Sequence, residues 1–285
     1  MRWYLLVFAL LAHPLALASG EIRDVLKSSE IDAIFARTQR SAIVHEGPTY
    51  TLTFQVQQKK PGPYQMYKNA DEIWFVRSGK ASLLVSDELA GAKEQSTAGE
   101  FGGSGLNAPR RHEVAAGDIV NLPRGTAYQL DPGSGRFEYI AVRIFPTGAH
   151  PARQFRRASP MPDVVKSSQR DATFANHDSN QPLHSARNVT VNFVIYAGHA
   201  GPWEAHRGCV DIYFMHTGSG TAHLGGEIKE PTEEVPGEIR GSGVTGARQS
   251  VVGPGDIVLI PHLTAHYMVP SSEKLGYNLV KVWAQ

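Results

Sequence analysis

The sequence contains two copies of one pattern, and this repetition constrains the fold more than any other feature. Five pairs of stretches match: 27–36 with 166–175, 51–54 with 190–193, 62–64 with 201–203, 117–123 with 255–261, and 139–145 with 277–283. Gly62 and Gly201 lie 139 positions apart, whereas Gly117 and Gly255 lie 138 apart, so the copies differ by one residue in an intervening loop. A register kept through so many elements predicts two tandem copies of one domain.

Each copy has the pattern of a β protein. The runs Ile-Trp-Phe-Val at 73–76 and Ile-Tyr-Phe-Met at 212–215 are β-branched or aromatic and precede Ser-Gly or Thr-Gly. Short strands at regular spacing, with 28 glycines and 18 prolines in the chain, predict an all-β sandwich or barrel rather than βαβ units. Two polar, glycine-rich stretches, 87–111 and 226–247, are predicted to be long loops.

A short helix is predicted at the start of each copy. In residues 27–36 and 166–175 a serine is followed three residues later by an aspartate, just before apolar positions. This pattern is typical of a helix N-cap, where the hydroxyl and the carboxylate accept hydrogen bonds from otherwise unpaired N–H groups.

The first 18 residues are predicted to be an export signal. Arg2 precedes the apolar segment Trp3–Leu17, and Ala16-Leu17-Ala18 fits a small-residue cleavage site before Ser19. The alternative, a membrane anchor, conflicts with the interruption at His13-Pro14 and with the roughly 20 apolar residues that a span requires. An exported protein, periplasmic or secreted, with no membrane insertion after signal removal is therefore expected.

Charge and cysteine content argue against nucleic-acid binding, intrachain disulfide bonds and a lipid anchor. The formal net charge is +1, and the one short basic stretch, Arg153–Arg157, is not the concentrated basic surface that phosphate binding needs. No nucleic-acid partner is therefore expected. Cys209 is the only cysteine, so no intrachain disulfide forms, and no lipid-modifiable cysteine stands at the cleavage point.

The second copy contains two motifs that resemble those of the cupin family. Cupins carry Gly, five residues, His-x-His, three or four residues, Glu, six residues and Gly, and later Gly, five residues, Pro-x-Gly, two residues and His. The matching residues here are Gly198, Glu204, His206, Asp211 and Gly218, then Gly255, Pro261, Leu263 and His266. The spacing fits throughout. Glu204 replaces the first histidine, Asp211 the glutamate and Leu263 a glycine.

The resemblance implies an all-β fold of two tandem cupin barrels, each a jelly-roll or double-stranded β-helix with short helices. After the signal at 1–18, residues 19–159 form the first cupin and 160–285 the second.

The resemblance also implies that Glu204, His206, Asp211 and His266 hold one divalent transition metal. Imidazole with carboxylate favours Mn or Fe and leaves Zn, Ni and Cu open. Glu204 is either a ligand or a flanking base or surface residue. Cys209 is either a thiolate ligand or a small half-buried residue.

Further residues near these motifs are candidates for a substrate pocket. Alternation along a strand places Tyr213 and Met215 on the same face as Asp211, where they are either pocket walls or ordinary core. His262 follows Pro261 in a turn and is either a pocket residue or a surface residue.

The first copy has lost the histidines. Its equivalent positions are Gln65, Tyr67, Glu72 and Tyr128. One carboxylate without imidazole is a poor transition-metal site, so this copy is predicted to be degenerate. It is either a ligand pocket lined by tyrosines or a structural partner of the second copy.

The resemblance leaves three functions open. The first is a metal-dependent enzyme acting on a small molecule, by oxidation or dioxygenation or as a lyase. The second is a non-catalytic binding protein for a sugar or an organic acid. The third is a structural or storage protein. Cupins also often pair through strand edges, so a homodimer is one of the states that the resemblance allows.

Overall fold

The computed structural model describes residues 24–145, 161–186 and 188–283. The predicted signal at 1–18 lies outside these residues, as does the predicted domain boundary at 159/160. In the part of the chain that is described, no helix is long and apolar enough to cross a membrane.

The first half contains a helix and a series of short strands. They are β1 (Val25–Leu26), α1 (Ser28–Arg37), β2 (Ser41–Glu46), β3 (Tyr50–Gln58), β4 (Tyr64–Tyr67), β5 (Asp71–Ser78), β6 (Lys80–Ser86), β7 (Leu89–Ala90), β8 (Lys93–Glu94), β9 (Glu100–Gly103), β10 (Gly105–Leu106), β11 (Arg110–Ala115), β12 (Ile119–Leu122), β13 (Ala127–Asp131) and β14 (Arg136–Ile144).

The second half repeats this order. It contains β15 (Val164–Val165), α2 (Ser167–Asn176), β16 (Gln181–Ser185), β17 (Val189–Ala197), β18 (Trp203–His206), β19 (Cys209–Thr217), β20 (Gly220–Leu224), β21 (Glu227–Lys229), β22 (Thr232–Val235), β23 (Glu238–Gly241), β24 (Gly243–Thr245), β25 (Arg248–Val252), β26 (Ile257–Ile260), β27 (His266–Pro270) and β28 (Lys274–Trp283). The prediction of an all-β fold with short helices is confirmed.

Each barrel consists of two six-stranded antiparallel sheets that enclose a core. In the first barrel the strand orders are β15-β12-β5-β14-β3-β2 and β11-β6-β13-β4-β9-β8; in the second they are β1-β26-β19-β28-β17-β16 and β22-β23-β18-β27-β20-β25. Two facing sheets of this kind make a jelly-roll barrel.

The prediction of long loops at 87–111 and 226–247 is wrong in part, because both stretches contain strands. β9 pairs with β4, and β23 pairs with β18, so each extends one sheet of its barrel. These strands are polar because they are only partly buried, which removes the apolar signal that marks a strand in the sequence.

The two barrels share one core in which β5 and β19 are buried on both faces. Ile73 and Phe75 of β5 belong to the shared core, whereas Trp74 faces the interior of the first barrel. Phe214 of β19 stacks on Phe75 with 3.7 Å between ring centroids. Burial on both faces explains the continuous apolar runs in the sequence.

Each half also contributes a strand to the other barrel. β1, at the start of the first half, pairs with β26 of the second barrel, and β15 pairs with β12 of the first. The halves are therefore interlocked through backbone hydrogen bonds as well as through the shared core.

The helix N-caps differ from the predicted serine caps. The backbone N–H of Ser28 donates to Oδ1 of Asp256 at 2.7 Å, and that of Ser167 donates to Oδ1 of Asp118 at 2.8 Å. Both aspartates belong to the repeated Gly-Asp motif, and each caps the helix of the other half. A carboxylate from the opposite barrel thus takes the place of the predicted serine cap and joins the halves at two equivalent places, beside the local contacts of Glu30 and Gln169 with the backbone N–H groups of Lys27 and Lys166.

Candidate metal centre

Three cross-strand pairs build the candidate site inside the second barrel. Glu204 of β18 lies opposite His266 of β27, His206 lies opposite Glu238 of β23, and Asp211 of β19 lies opposite Lys281 of β28. Directly opposed residues in antiparallel strands have neighbouring side chains. The first two pairs come from one sheet and the third from the facing sheet, so their polar ends meet in the barrel interior.

Three of the four predicted ligands, Glu204, His206 and His266, have candidate ligand atoms within 4.8 Å of one another, and Asp211 lies beside the two imidazoles. Nε2 of His266 lies 3.5 Å from Oε1 of Glu204 and 3.9 Å from Oδ2 of Asp211. Nε2 of His206 lies 3.4 Å from the same Asp211 oxygen and 4.0 Å from the Glu204 oxygen. Atoms that each bind an ion at about 2.1 Å are separated by roughly 3.0 to 4.2 Å, so these separations fit one shared ion.

The Nδ1 atom of each histidine faces an oxygen atom. Nδ1 of His266 lies 3.0 Å from the carbonyl oxygen of Thr264 and donates to it, so in the neutral imidazole, the form that binds a metal, Nε2 carries the lone pair. That Nε2 is buried without a hydrogen-bond partner. Oε2 of Glu238 lies 2.8 Å from Nδ1 of His206, although the two are not aligned for a hydrogen bond. A carbonyl or carboxylate at Nδ1 is the usual arrangement around a metal-binding histidine.

The carboxylates of the cluster are ionised. Burial would raise the pKa of Asp211, but Lys281 and His206 hold it well below its usual range. Burial likewise opposes ionisation of Glu204, but His266 and His206 lower its pKa to about 2. Burial lowers the pKa of His206, and the Asp211 carboxylate raises it. The ammonium of Lys281 lies 3.1 Å from Nε2 of His206 and can only donate, so that nitrogen is unprotonated.

The charge of the cluster suits a divalent cation. With both imidazoles neutral, three carboxylates (Glu204, Asp211 and Glu238) and one ammonium (Lys281) leave two negative charges. Arg240 contacts Glu204 at 3.5 Å, but its side chain is 58% exposed and its charge is screened by solvent. A buried excess of negative charge is costly unless a cation compensates it. The residues therefore fit a metal ion by position, lone pairs and charge.

Cys209 and Tyr213 both contact Asp211. The Cys209 thiol donates to Oδ1 at 3.8 Å, and burial raises its pKa well above the usual range, which favours a buried thiol over a thiolate ligand. The Tyr213 hydroxyl lies 3.5 Å from Oδ2, and its ring stacks on Tyr277. Met215 is buried in the same barrel core. A pocket role for Tyr213 and Met215 stays a prediction.

His262 is exposed in the turn before β27, and its pocket role also stays a prediction. An open groove lies nearby, lined by Ala205, Arg207, Ile239 and Leu263 among others. Ala205 and Arg207 alternate with Glu204 and His206 along the strand, so this groove lies on the outer side of the sheet. It is not the entrance to the buried cluster.

The first barrel repeats the three pairs with different chemistry. Glu72 lies opposite Arg143, Tyr67 opposite Glu100, and Tyr128 opposite the fourth predicted residue, Gln65. Arg143 donates to Glu72 and to Glu100 at 3.0 Å each and lies 3.9 Å from the centroid of the Tyr67 ring. The Tyr128 hydroxyl donates to Glu72 at 3.0 Å. These internal contacts occupy the position of the second-barrel cluster and favour a structural role.

Solved structures of the same architecture cover nearly the whole chain. The cupin 2 conserved barrel domain protein from Leptotrichia buccalis has a TM-score of 0.56 and 9% sequence identity, over 94% of this chain and 100% of that one. The salicylate 1,2-dioxygenase from Pseudaminobacter salicylatoxidans has a TM-score of 0.58 and 11% identity, over 91% and 82%. The chain has the bicupin fold. No protein-family model and no curated protein sequence matches it.

Sequence reasoning about this bicupin missed Glu238 and Lys281. Glu238 lies in a stretch that was predicted to be a loop. Lys281 is a lone charge in the apolar run Leu-Val-Lys-Val-Trp at 279–283, and Arg143 occupies the matching position in the first copy. A positive charge at the same position of an apolar strand in both copies was the sequence signal that could have identified Lys281.

Proposed function

We propose that this bicupin binds one divalent transition metal in its second barrel through Glu204, His206, Asp211 and His266 and acts there on a small molecule. The observation that carries the proposal is the unpartnered, buried Nε2 of His266 facing two ionised carboxylates. Such a nitrogen needs a cation or a donor opposite it. The donor set favours Mn or Fe, with Zn, Ni and Cu as alternatives.

Access to the cluster favours a small acidic substrate. The imidazoles and Asp211 are almost fully buried, whereas the Glu204 and Glu238 side chains are each 17% exposed and mark the open side. Arg240 stands at this edge beside Glu204 and would attract an anion. The Tyr213 hydroxyl is placed to hold a group beside Asp211. A metal bound here would polarise a carbonyl or carboxylate, or activate water or O₂.

Oxidation of an organic acid is the reaction that we propose first. The salicylate 1,2-dioxygenase has the same fold, and one of its structures is described as adducts with gentisate, at a TM-score of 0.57 and 10% identity over 91% of this chain and 80% of that one. Aromatic acids are therefore the first substrates to test.

Metal analysis tests the proposal. The purified protein should contain, or take up, about one metal ion per chain, and the double variant His206→Ala/His266→Ala should contain none, because both imidazole ligands are lost. His262→Ala is the matched control, since this exposed histidine lies four residues from His266 and its removal should leave the metal content unchanged. Mass spectrometry of metal-stripped protein reloaded with Mn, Fe, Ni, Cu or Zn gives the measurement.

The outcomes separate the candidate functions. Wild-type protein that takes up none of the five metals contradicts the proposal. Metal-loaded protein that consumes O₂ with aromatic or aliphatic acids supports an oxygenase. Metal-loaded protein that binds an acid without turnover supports a non-catalytic binding protein.

We also propose that the protein is exported, on the basis of the apolar segment 3–17 and the small residues at 16–18. Protein recovered outside the cytoplasm should begin at Ser19 when its N-terminus is sequenced. Accumulation of the intact chain inside the cell would contradict export.

A further inference from the structure

Lys281 places a positive charge inside the candidate metal centre. Its Nζ lies 3.1 Å from Nε2 of His206, 3.7 Å from Oδ1 of Asp211 and 4.0 Å from Oε1 of Glu238. The side chain is only 13% exposed. The ammonium therefore contacts the same imidazole nitrogen that a metal ion would need, and it compensates part of the carboxylate charge.

A cation at this position is a feature of both barrels. Arg143 is the counterpart of Lys281, and it bridges Glu72 and Glu100, which are the counterparts of Asp211 and Glu238. In the first barrel the guanidinium makes a 3.0 Å contact with each carboxylate. The ammonium of Lys281 makes only the longer contacts with Asp211 and Glu238, so the second barrel holds its cation less tightly.

The ammonium and a metal ion exclude each other at His206. One lone pair on Nε2 serves either a hydrogen bond from Nζ or a bond to a metal, and two cations this close repel each other in a buried site. Metal binding therefore includes the displacement of Lys281, because the ammonium must move away from Nε2 of His206 before a metal ion can bind there.

We propose that Lys281 is the resident cation of the metal-free second barrel and that it sets the affinity of the site for divalent metals. This inference rests on the metal site proposed above. Lys281 stabilises the metal-free cluster and weakens metal binding, because each ion must displace the ammonium from His206. In the first barrel, arginine replaces this lysine and tyrosines replace the histidines, so the guanidinium bridges both carboxylates and no imidazole competes for it.

Substitutions of Lys281 test the inference through the affinity for Mn²⁺, which calorimetry measures without an activity assay. Titration of metal-stripped protein with MnCl₂ should show binding at least about tenfold tighter for Lys281→Met than for wild type, because the repulsion is removed. Lys281→Arg should bind at least about tenfold more weakly, because a guanidinium bridges Asp211 and Glu238 as Arg143 does in the first barrel. Lys281→Gln removes the charge but keeps a polar side chain, and it replaces Lys281→Met if that variant does not fold.

Thermal unfolding with EDTA supplies a second readout. Metal-free Lys281→Met or Lys281→Gln should unfold at a lower temperature than wild type, and Mn²⁺ should raise its Tm by more than it raises that of wild type. Arg143→Gln is the matched control. It removes the equivalent charge where no imidazole is present, so the Mn²⁺ affinity of the protein should stay within about twofold of wild type.

The outcomes distinguish this inference from the metal-site proposal. Wild type that binds Mn²⁺, with folded charge-removal variants that bind it no more tightly, overturns the role of Lys281 and leaves the metal site in place. Wild type that binds none, with Lys281→Met or Lys281→Gln that binds, supports the role of Lys281 and contradicts a metal site in the natural protein. Absence of binding in all of them overturns both, and a gain in Arg143→Gln equal to that at Lys281 overturns the inference.

Discussion

Glu238→Gln will weaken divalent-metal binding by about 10- to 100-fold, although Glu238 is not one of the four proposed ligands. Its carboxylate lies 2.8 Å from Nδ1 of His206 and places a negative charge beside that imidazole, although the two groups are not aligned for a hydrogen bond. Replacement by an amide removes one of the three carboxylate charges and so weakens the attraction of the cluster for a divalent cation. Isothermal titration of the metal-stripped variant with Mn²⁺ or Zn²⁺ gives the change in Kd.

The first barrel provides the control for this variant. Glu100 is the counterpart of Glu238, and it pairs with Arg143 rather than with an imidazole. Glu100→Gln should therefore leave metal affinity unchanged while it removes a comparable, partly buried charge. An unchanged Kd in Glu238→Gln, or an equal loss in both variants, would show that the Glu238 charge has no specific effect on metal binding.

The duplicated sequence predicted the fold well because its strongest signals lie in strands buried on both faces. The run at 73–76 alternates between the shared core (Ile73, Phe75) and the barrel interior (Trp74, Val76), so every residue in it is apolar. Such runs identify a strand from the sequence. They do not reveal that half of their side chains contact a second barrel, since both environments select the same residue types.

The exchange of short strands could not be predicted for a related reason. Val25–Leu26 and Val164–Val165 are two residues long, which is too short for any periodicity, and their partners lie in the opposite half of the chain. Only the three-dimensional arrangement shows that the two Gly-Asp motifs, at Asp118 and Asp256, cap helices across the molecule.

The motif spacing identified candidate ligands but not the charged residues beside them. Motif spacing located Glu204, His206, Asp211 and His266. The structure brings Glu204, His206 and His266 together, and Asp211 lies 3.4 Å from His206 and 3.9 Å from His266. Glu238 comes from a polar strand, which no sequence pattern marks. Lys281 is a lone charge in an apolar strand and is marked only by Arg143 at the matching position of the first copy. Their relation to the ligands follows from cross-strand register.

Phe214→Ala will lower the free energy of unfolding of the whole protein by about 3 to 5 kcal/mol. The ring is buried in the shared core and stacks on Phe75 with 18° between the ring planes. Its removal leaves a cavity between two sheets that belong to different barrels, and the strands exchanged between the halves limit how far those sheets can close on it. Urea unfolding followed by circular dichroism gives the change.

The shape of that unfolding curve tests whether the barrels are one cooperative unit. A shared core and exchanged strands predict a single transition in wild type, with both barrels destabilised together in Phe214→Ala. Val251→Thr, at a position 71% exposed, is the control and should change stability by less than about 0.5 kcal/mol. Two separate transitions, or a loss below about 1 kcal/mol in Phe214→Ala, would mean that the barrels are independent. The first barrel could then not act as a structural support for the metal centre of the second.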